Sequence, residues 1–344
     1  AGFESECAAE IMDHAAAYIK AEAGSGFVIL VSAAGDDTTA LLQAIDFNAL
    51  IFTRQWFACG DQLSQLPQQD RTTPLCDIAQ QVAAQLASNF NAIELSYADT
   101  NQGKELSRFC KAFSPHLLAA LNKRKLVSAK SRLRLHVFFV DSSTAWLGIS
   151  PLDNSAHDAM GITRLRMPAT APSRSTLKLE EAIHCFFDKT QQSTWFKPGM
   201  HAVDLGAAPG GWSWQLVQRG LLVTAVDNGP MDETLMKTGM VEHLRSDAFT
   251  YAPERRIDWL VCDMAERPLH VSRLVARWFT RGYCRAAIFN LKLPMKKRYL
   301  SVLECRKLLH KELSKASIRH SIRIKQLYHD REEVSVCLLT VREE

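Results

Sequence analysis

The sequence predicts an α/β protein: a Rossmann-like, doubly wound, mostly parallel sheet with an antiparallel last strand fills the C-terminal half, after a smaller α+β region of ferredoxin-like type. Three observations lead there. Residues 176–341 alternate strand-length apolar runs with helix-length amphipathic runs, the pattern of a parallel sheet covered on both faces. Within them, Val203-Asp204-Leu205-Gly206-Ala207-Ala208-Pro209-Gly210-Gly211-Trp212-Ser213 reads as a strand that stops in a glycine-rich turn and passes straight into a helix. Such a turn presents backbone N–H groups to a ligand. Third, the first 150 residues hold two short helix-and-strand sets on either side of a Gln- and Pro-rich stretch.

At 344 residues the chain exceeds the usual single-domain size, so two or three domains are expected. Composition divides it into residues 1–58, residues 59–150, a linker over 151–174 containing Pro151, Pro168 and Pro172, and the large domain over 175–344. Residues 4–21 are alanine-rich and read as a helix, 27–32 as a strand, 38–45 as a helix and 50–57 as a strand. Because this series begins on a helix, a ferredoxin-like unit here would lack its first strand, which is expected upstream. The second part reads as a helix over 76–88, a strand over 92–97, a helix over 104–122 and strands over 132–140 and 144–149.

In the large domain, helices are expected over 176–187, 211–219, 233–238, 271–280 and 299–313. Strands are expected over 202–205, 222–226, 242–244, 259–262, 286–290, 322–328 and 334–341.

Charge is divided unevenly. Residues 1–100 carry thirteen Asp/Glu against three Lys/Arg, so the net charge of +4 comes from the remainder. A polyanionic partner should meet the later part of the chain. Lys111, Lys123, Arg124, Lys125, Lys130 and Arg132, with Arg108 and Arg134 beside them, form a basic band suited to phosphate contacts. Lysines near a helix end also complement the helix dipole without any ligand. The nine cysteines include no C-x-x-C pair, so neither a disulfide framework nor a metal site is expected. No apolar run approaches a bilayer-crossing length and no secretory signal opens the sequence, so a soluble, cytoplasmic protein without a membrane partner is expected.

The glycine turn is not a clean G-x-G-x-x-G, since Ala208 stands at the second glycine position and Pro209 stiffens the loop. That departure weakens a dinucleotide reading. Asp227 ends the next strand, where it can accept both ribose hydroxyls of an adenosine; Asp247 lies just past the third strand and Asp263 ends the fourth. Three carboxylates around one turn suit S-adenosylmethionine, which is cationic, better than an anionic dinucleotide. Asp247 alone could equally be a turn residue. Lys178 precedes the turn on a helix, Lys292 ends the fifth strand and Glu333 opens the last. Gathered at the ligand edge, two lysines and two carboxylates can lower one lysine's pKa and make it a general base toward a hydroxyl.

Ser173-Arg174-Ser175 with Lys178-Leu179, the glycine run, Cys262-Asp263-Met264-Ala265, Asn290-Leu291-Lys292 and Glu333-Val334 together resemble the FtsJ-type RNA ribose 2′-O-methyltransferases and their Lys-Asp-Lys-Glu tetrad. Longer stretches at 171–182, 226–231, 290–298 and 326–333 are similar to bacterial 23S rRNA ribose methyltransferases that carry an N-terminal THUMP module, so residues 59–150 would be that RNA-binding module. The resemblance implies methylation of a cytidine ribose in 23S rRNA, accepted protein-free or early in assembly by a monomer. It implies Lys292 as proton acceptor in a Lys178/Asp263/Lys292/Glu333 tetrad, and Ser175, Ala208, Pro209, Gly210, Gly211, Asp227, Asp247 and Asp263 as cofactor residues. Glu333, directly before the last strand, is favoured over Glu332. The FtsJ-type pattern has proline where Glu266 stands here.

Lys296, Lys297 and Arg298 follow Lys292 and are expected on RNA phosphates; Trp212 and Trp214 are candidates for base stacking or core packing. An NAD-dependent oxidoreductase would want the missing second glycine. A base methyltransferase would want an Asn-Pro-Pro-Tyr or Pro-Cys loop, which the chain lacks. A ribosome-assembly factor that binds RNA through an inactive methyltransferase domain is the remaining alternative.

Overall fold

Helix α1 (Glu4–His14) is shorter than the alanine content suggests, because the chain turns to pair strand β1 (Tyr18–Gly24) antiparallel with β2 (Phe27–Ser32). An aromatic and a β-branched residue at 18–19 favour strand over helix, and Gly26 supplies the positive φ (84°) of the turn. The computed structural model describes residues 2–15, 18–32 and 38–341; residues 16 and 17 of the expected helix lie outside them. The chain divides between Ile162 and Thr163 into two compact units.

In the first unit, helix α2 (Thr38–Ala44) is followed by a segment that corrects the strand expected over 50–57. Leu50, Ile51 and Phe52 are buried, yet the amides of Ile51 and Phe52 donate to the carboxylate of Glu10 at 2.5 and 2.9 Å. A side chain thus replaces the ladder partner that buried amides require. Only β3 (Ala58–Cys59) forms nearby.

Helix α3 (Thr72–Gln85), β4 (Ala92–Tyr97), α4 (Asn101–Lys123), β5 (Leu133–Phe139) and β6 (Ala145–Pro151) complete the unit. Its four-stranded sheet runs β3-β6-β5-β4, with β4 and β5 parallel and the other pairs antiparallel. Leu75, Phe90, Leu121, Leu135 and Phe139 fill the space under α3 and α4. Beyond β6 the chain stays on this unit: Asn154 donates to the carbonyls of Leu42 and Ile45 at 2.5 and 2.8 Å.

The second unit contains α5 (Thr176–Phe186), α6 (Lys189–Trp195), β7 (His201–Leu205), α7 (Gly211–Gln218), β8 (Leu222–Val226), α8 (Glu233–Met236), β9 (Val241–Leu244), β10 (Trp259–Cys262), α9 (Pro268–Thr280), β11 (Ala286–Lys292), α10 (Arg298–Lys315), β12 (His320–Lys325) and β13 (Glu333–Thr340). Helix α6 was not anticipated, although Asp188 and Gln191 form the capping box that starts it. The sheet order is β12-β13-β11-β10-β7-β8-β9. Strands β7 to β11 are parallel, and β13 lies antiparallel between β11 and β12. The last hairpin therefore inserts a strand into the sheet beside β11. The strand order reverses between β7 and β10, and ligands of such sheets bind at the carboxyl ends flanking that point.

Replacing Glu10 by Ala removes the carboxylate that accepts from two buried amides, at a cost of roughly 2–3 kcal/mol. Amide exchange followed by mass spectrometry should show protection of Ile51 and Phe52 falling about 30- to 150-fold.

Candidate active site

Strand β7 ends at Leu205, and the turn beyond it is built where side chains do not fit. A Cβ at Gly206, whose φ is 76°, would fall on Met264; at Gly210, with φ 111°, on Leu235; at Gly211 on the hydroxyls of Ser173 and Ser175. Helix α7 starts at Gly211, so its first amides face outward without intrahelical partners. The Ser175 hydroxyl lies 2.7 Å from that of Ser173, against the turn. Beneath it, buried Asp204 accepts from Ser213 Oγ at 2.7 Å, and burial pushes its carboxyl up to about 7 against that hydrogen bond.

Asp227 bridges the turn to the end of β8: Oδ2 accepts from the Ala208 amide at 3.0 Å and Oδ1 from the Gly229 amide at 2.7 Å. Ala208 and Pro209 are joined by a cis peptide bond. Asp247 is exposed three residues past β9 and caps its own turn through the Phe249 amide at 2.9 Å. The glycine turn with carboxylates at its rim suits a small polar ligand that has free hydroxyls and a cationic centre.

Four charged side chains from four elements meet beside it. Lys178 of α5 donates to Asp263 Oδ2 at 3.0 Å and pairs with Glu333. Lys292 of β11 lies 3.3 Å from Asp263 Oδ1 and also pairs with Glu333. Lys292 and Glu333 are direct cross-strand neighbours of β11 and β13, so the inserted strand delivers the second carboxylate. Burial lowers the Lys292 pKa below its ordinary value, with Lys178 acting in the same direction and the Asp263 carboxylate opposing. Glu332, the neighbour of Glu333, turns away and pairs with Arg298.

Behind the cluster runs a buried hydrogen-bonded chain that the sequence reading missed. Asn290 Nδ2 donates to Asp263 Oδ1 at 3.1 Å, Ser335 Oγ donates to Asn290 Oδ1 at 2.8 Å and lies 3.1 Å from Asp330 Oδ2. Strand alternation puts Asn290 and Lys292 on one face of β11, a signal that could have found Asn290. Asp330, pushed up to about 7 by burial, also accepts from the Leu327 amide at 3.1 Å. It holds the loop that stands where the strand over 322–328 was expected to continue.

The basic residues behave differently from one another. Lys111, Lys123, Lys125 and Lys130 are exposed, but Arg124 pairs with Asp77 at 2.6 Å and Arg132 with Asp153 at 2.7 Å. Arg134 is buried on Glu94 at 3.2 Å and so belongs to the core rather than to a phosphate-binding band. After β11, Lys296 and Lys297 are exposed and Met295 is 91% exposed, whereas Arg298 is held by Glu332. Trp212 is buried in the hydrophobic core, and half-buried Trp214 packs against it.

A sheet of this order, with its glycine turn after the first parallel strand and a charged cluster at the strand ends, defines a class I, S-adenosylmethionine-dependent methyltransferase. Sequence comparison agrees: residues 171–300 match the FtsJ-like methyltransferase model, residues 1–57 the RlmM ferredoxin-like domain, and residues 70–151 the N-terminal region of ribosomal RNA large subunit methyltransferase M. The chain belongs to the ribosomal RNA large subunit methyltransferase M family. Its relatives of that name include a protein of Cellvibrio japonicus (strain Ueda107), 47% identical over 97% of this chain and 95% of the relative. Another, from Pseudoalteromonas translucida (strain TAC 125), is 45% identical over 98% and 94%. Among solved structures, a ribosomal RNA methyltransferase of Plasmodium falciparum is 12% identical over 49% of this chain and 97% of its own, with a TM-score of 0.37; at that distance the likeness adds nothing.

Among the described residues no helix is long and apolar enough to cross a membrane, and no cluster of His, Cys, Asp and Glu could hold a metal.

Gly211→Ala should weaken S-adenosylmethionine binding about 10-fold by calorimetry while the thermal midpoint stays within a few degrees, because the added methyl displaces Ser173 and Ser175 from the turn.

Proposed function

We propose that this protein transfers a methyl group to the 2′-OH of a cytidine ribose in 23S rRNA, with Lys292 as the proton acceptor in the Lys178/Asp263/Lys292/Glu333 tetrad. The observation that carries this reading is the meeting of two lysines and two carboxylates beside the glycine turn. S-adenosylmethionine supplies an electrophilic methyl group on a sulfonium; the ribose hydroxyl is a poor nucleophile until its proton is drawn away.

Charge balance explains the role of each side chain. With both lysines protonated the four groups are neutral in sum. Neutral Lys292 leaves one cation against two carboxylates, and taking the hydroxyl proton restores the balance. The charge of Lys178 beside Lys292 favours the neutral amine there. Lys292 is 32% exposed against 3% for Glu333, so it can return the proton to water after transfer. Asn290 fixes the orientation of Asp263 from behind.

Ser175, Ala208, Pro209, Gly210, Gly211, Asp227, Asp247 and Asp263 would hold the cofactor, with Asp227 toward the adenosine hydroxyls. Exposed Lys296 and Lys297, immediately after the tetrad strand, would meet phosphates of the incoming RNA. The THUMP-type part over residues 59–150, through Lys111, Lys123, Lys125 and Lys130, would hold a more distant stretch of the same rRNA. The ion-paired Arg124, Arg132 and Arg298 contribute less, since each already has an acidic partner.

Lys292→Ala should reduce methyl transfer to in vitro transcribed 23S rRNA by at least 10²-fold while S-adenosylmethionine affinity is retained; transfer at the wild-type rate would sink the mechanism. In the wild-type enzyme, single-turnover rates should rise with pH and level off below the usual lysine range, because the base is the unprotonated amine and its pKa is lowered. Lys292→Arg, which cannot deprotonate in this range, should lose the rise along with the activity. Removing residues 1–150 should weaken rRNA binding and leave cofactor affinity nearly unchanged. Equal loss of both, measured by filter binding and calorimetry, would refute the division of labour.

A further inference from the structure

A cleft of about 390 Å³ in the second unit is lined by Arg164, Met167, Arg174, Leu177, Tyr328 and His329, none of which belongs to the tetrad or to the cofactor turn. Its size lies within the range of small-ligand sites, and its lining combines two guanidinium groups with an aromatic ring and apolar side chains.

Like several other arginines of this unit, the two have no acidic partner among the described residues; what sets them apart is that they line one cleft together. Elsewhere in this unit Arg219 holds Glu180, Arg285 holds Asp258 and Arg298 holds Glu332. Neither Arg164 nor Arg174 meets a carboxylate among the described residues. Two unneutralised guanidinium groups at one cleft attract an anion, and their planar forks suit a phosphodiester.

The backbone that carries the aromatic wall is held in place. The amides of Tyr328 and His329 donate to the two oxygens of buried Glu181, at 2.9 and 2.8 Å, and His329 Nδ1 contacts the same carboxylate at 2.7 Å. The Tyr328 ring stands edge-on to His329, with centroids 5.2 Å apart. A ring on a backbone held in this way has less freedom to lose when a base stacks on it.

The cleft also adjoins the helix that enters the tetrad. The Leu177 amide donates to the Arg174 carbonyl at 3.1 Å and the Lys178 amide to the Ser175 carbonyl at 3.0 Å, so Arg174 lies in the tight turn that leads into α5 and Lys178. A phosphodiester is covalently joined to the ribose whose hydroxyl Lys178 and Lys292 would attend, and an arginine four residues ahead of Lys178 is placed to meet it.

We infer that the cleft receives the nucleotide adjacent to the methylated one, with its phosphodiester held by Arg164 and Arg174 and its base laid on the Tyr328 ring. This rests on the reaction proposed above. The site gives the enzyme a grip on strand direction: the flanking nucleotide enters one cleft while the acceptor ribose faces the tetrad. Because stacking accepts every base, the cleft demands a single strand more than it demands a sequence.

The test uses the full chain and a hexanucleotide carrying 4-thiouridine, crosslinked by light and mapped by mass spectrometry. Crosslinks are expected in the segments over residues 164–174 and 326–331, and their yield against oligonucleotide concentration gives the affinity of this site. Arg164→Gln with Arg174→Gln should raise the half-saturating concentration about 10-fold, and Tyr328→Leu roughly 5- to 150-fold, with Tyr328→Phe restoring it. S-adenosylmethionine affinity should be unchanged in each variant, which shows that the domain remains folded. Crosslinks found only elsewhere, or wild-type half-saturation in either the arginine pair or Tyr328→Leu, would overturn the assignment. The position of the methyl group in the wild-type product separates this from the reaction itself. A base methyl would refute 2′-O transfer while the cleft losses stood; a ribose methyl with no cleft losses would refute the cleft alone.

Discussion

The Asp263 carboxylate lies between two ammonium groups, and the arrangement holds because a second carboxylate closes the other side. Removing either anion would leave two half-buried cations to share one counter-charge, an arrangement that typically costs several kcal/mol. Asp263 comes from the end of a parallel strand, but Glu333 comes from the start of an antiparallel one. The insertion of β13 between β11 and β12 is therefore an electrostatic requirement of the site as much as a feature of the sheet. On the proposed mechanism, the glycine turn sets where the methyl donor lies and the paired charges set what can be done to a hydroxyl brought beside it.

Much of this architecture is legible in the sequence because the topology of a doubly wound sheet dictates which residues share an edge. Asp227, Asp263 and Lys292 each end a parallel strand, and Glu333 opens the antiparallel partner, so their assembly follows from counting strands. Local signals were weaker where a tertiary partner decided the outcome. Residues 50–57 have strand composition and are buried, but Glu10, remote in sequence, takes their amides. The alanine-rich opening has helix propensity to spare, yet the strand pairing of 18–24 with 27–32 wins. Nothing local marks Asp330 or Ser335 as supports of the tetrad, because their role depends on contacts across β13.

Charge counting also needs the structure to be useful. A sequence tally makes Arg124, Arg132, Arg134 and Arg298 look equivalent to the lysines around them, but all four are engaged with carboxylates. By contrast Arg164 and Arg174, in a stretch that reads as a linker and its margin, keep their charge uncompensated. Pairing, rather than abundance, separates arginines that hold the protein together from those whose charge stays uncompensated.

The inserted strand has a consequence for the order in which the protein matures. Parallel strands β7 to β11 can assemble from contiguous chain, but the cluster needs Lys178, from the start of the second unit, to meet Glu333, from near its end. Contacts of such separation form late, since the loop between them must close before they contribute. A chain caught with its last hairpin undocked could already possess the cofactor cradle while lacking the carboxylate that balances Lys292. On the proposed mechanism, competence to bind the donor then precedes competence to use it, and a partly folded molecule would be chemically silent toward the many ribose hydroxyls around it.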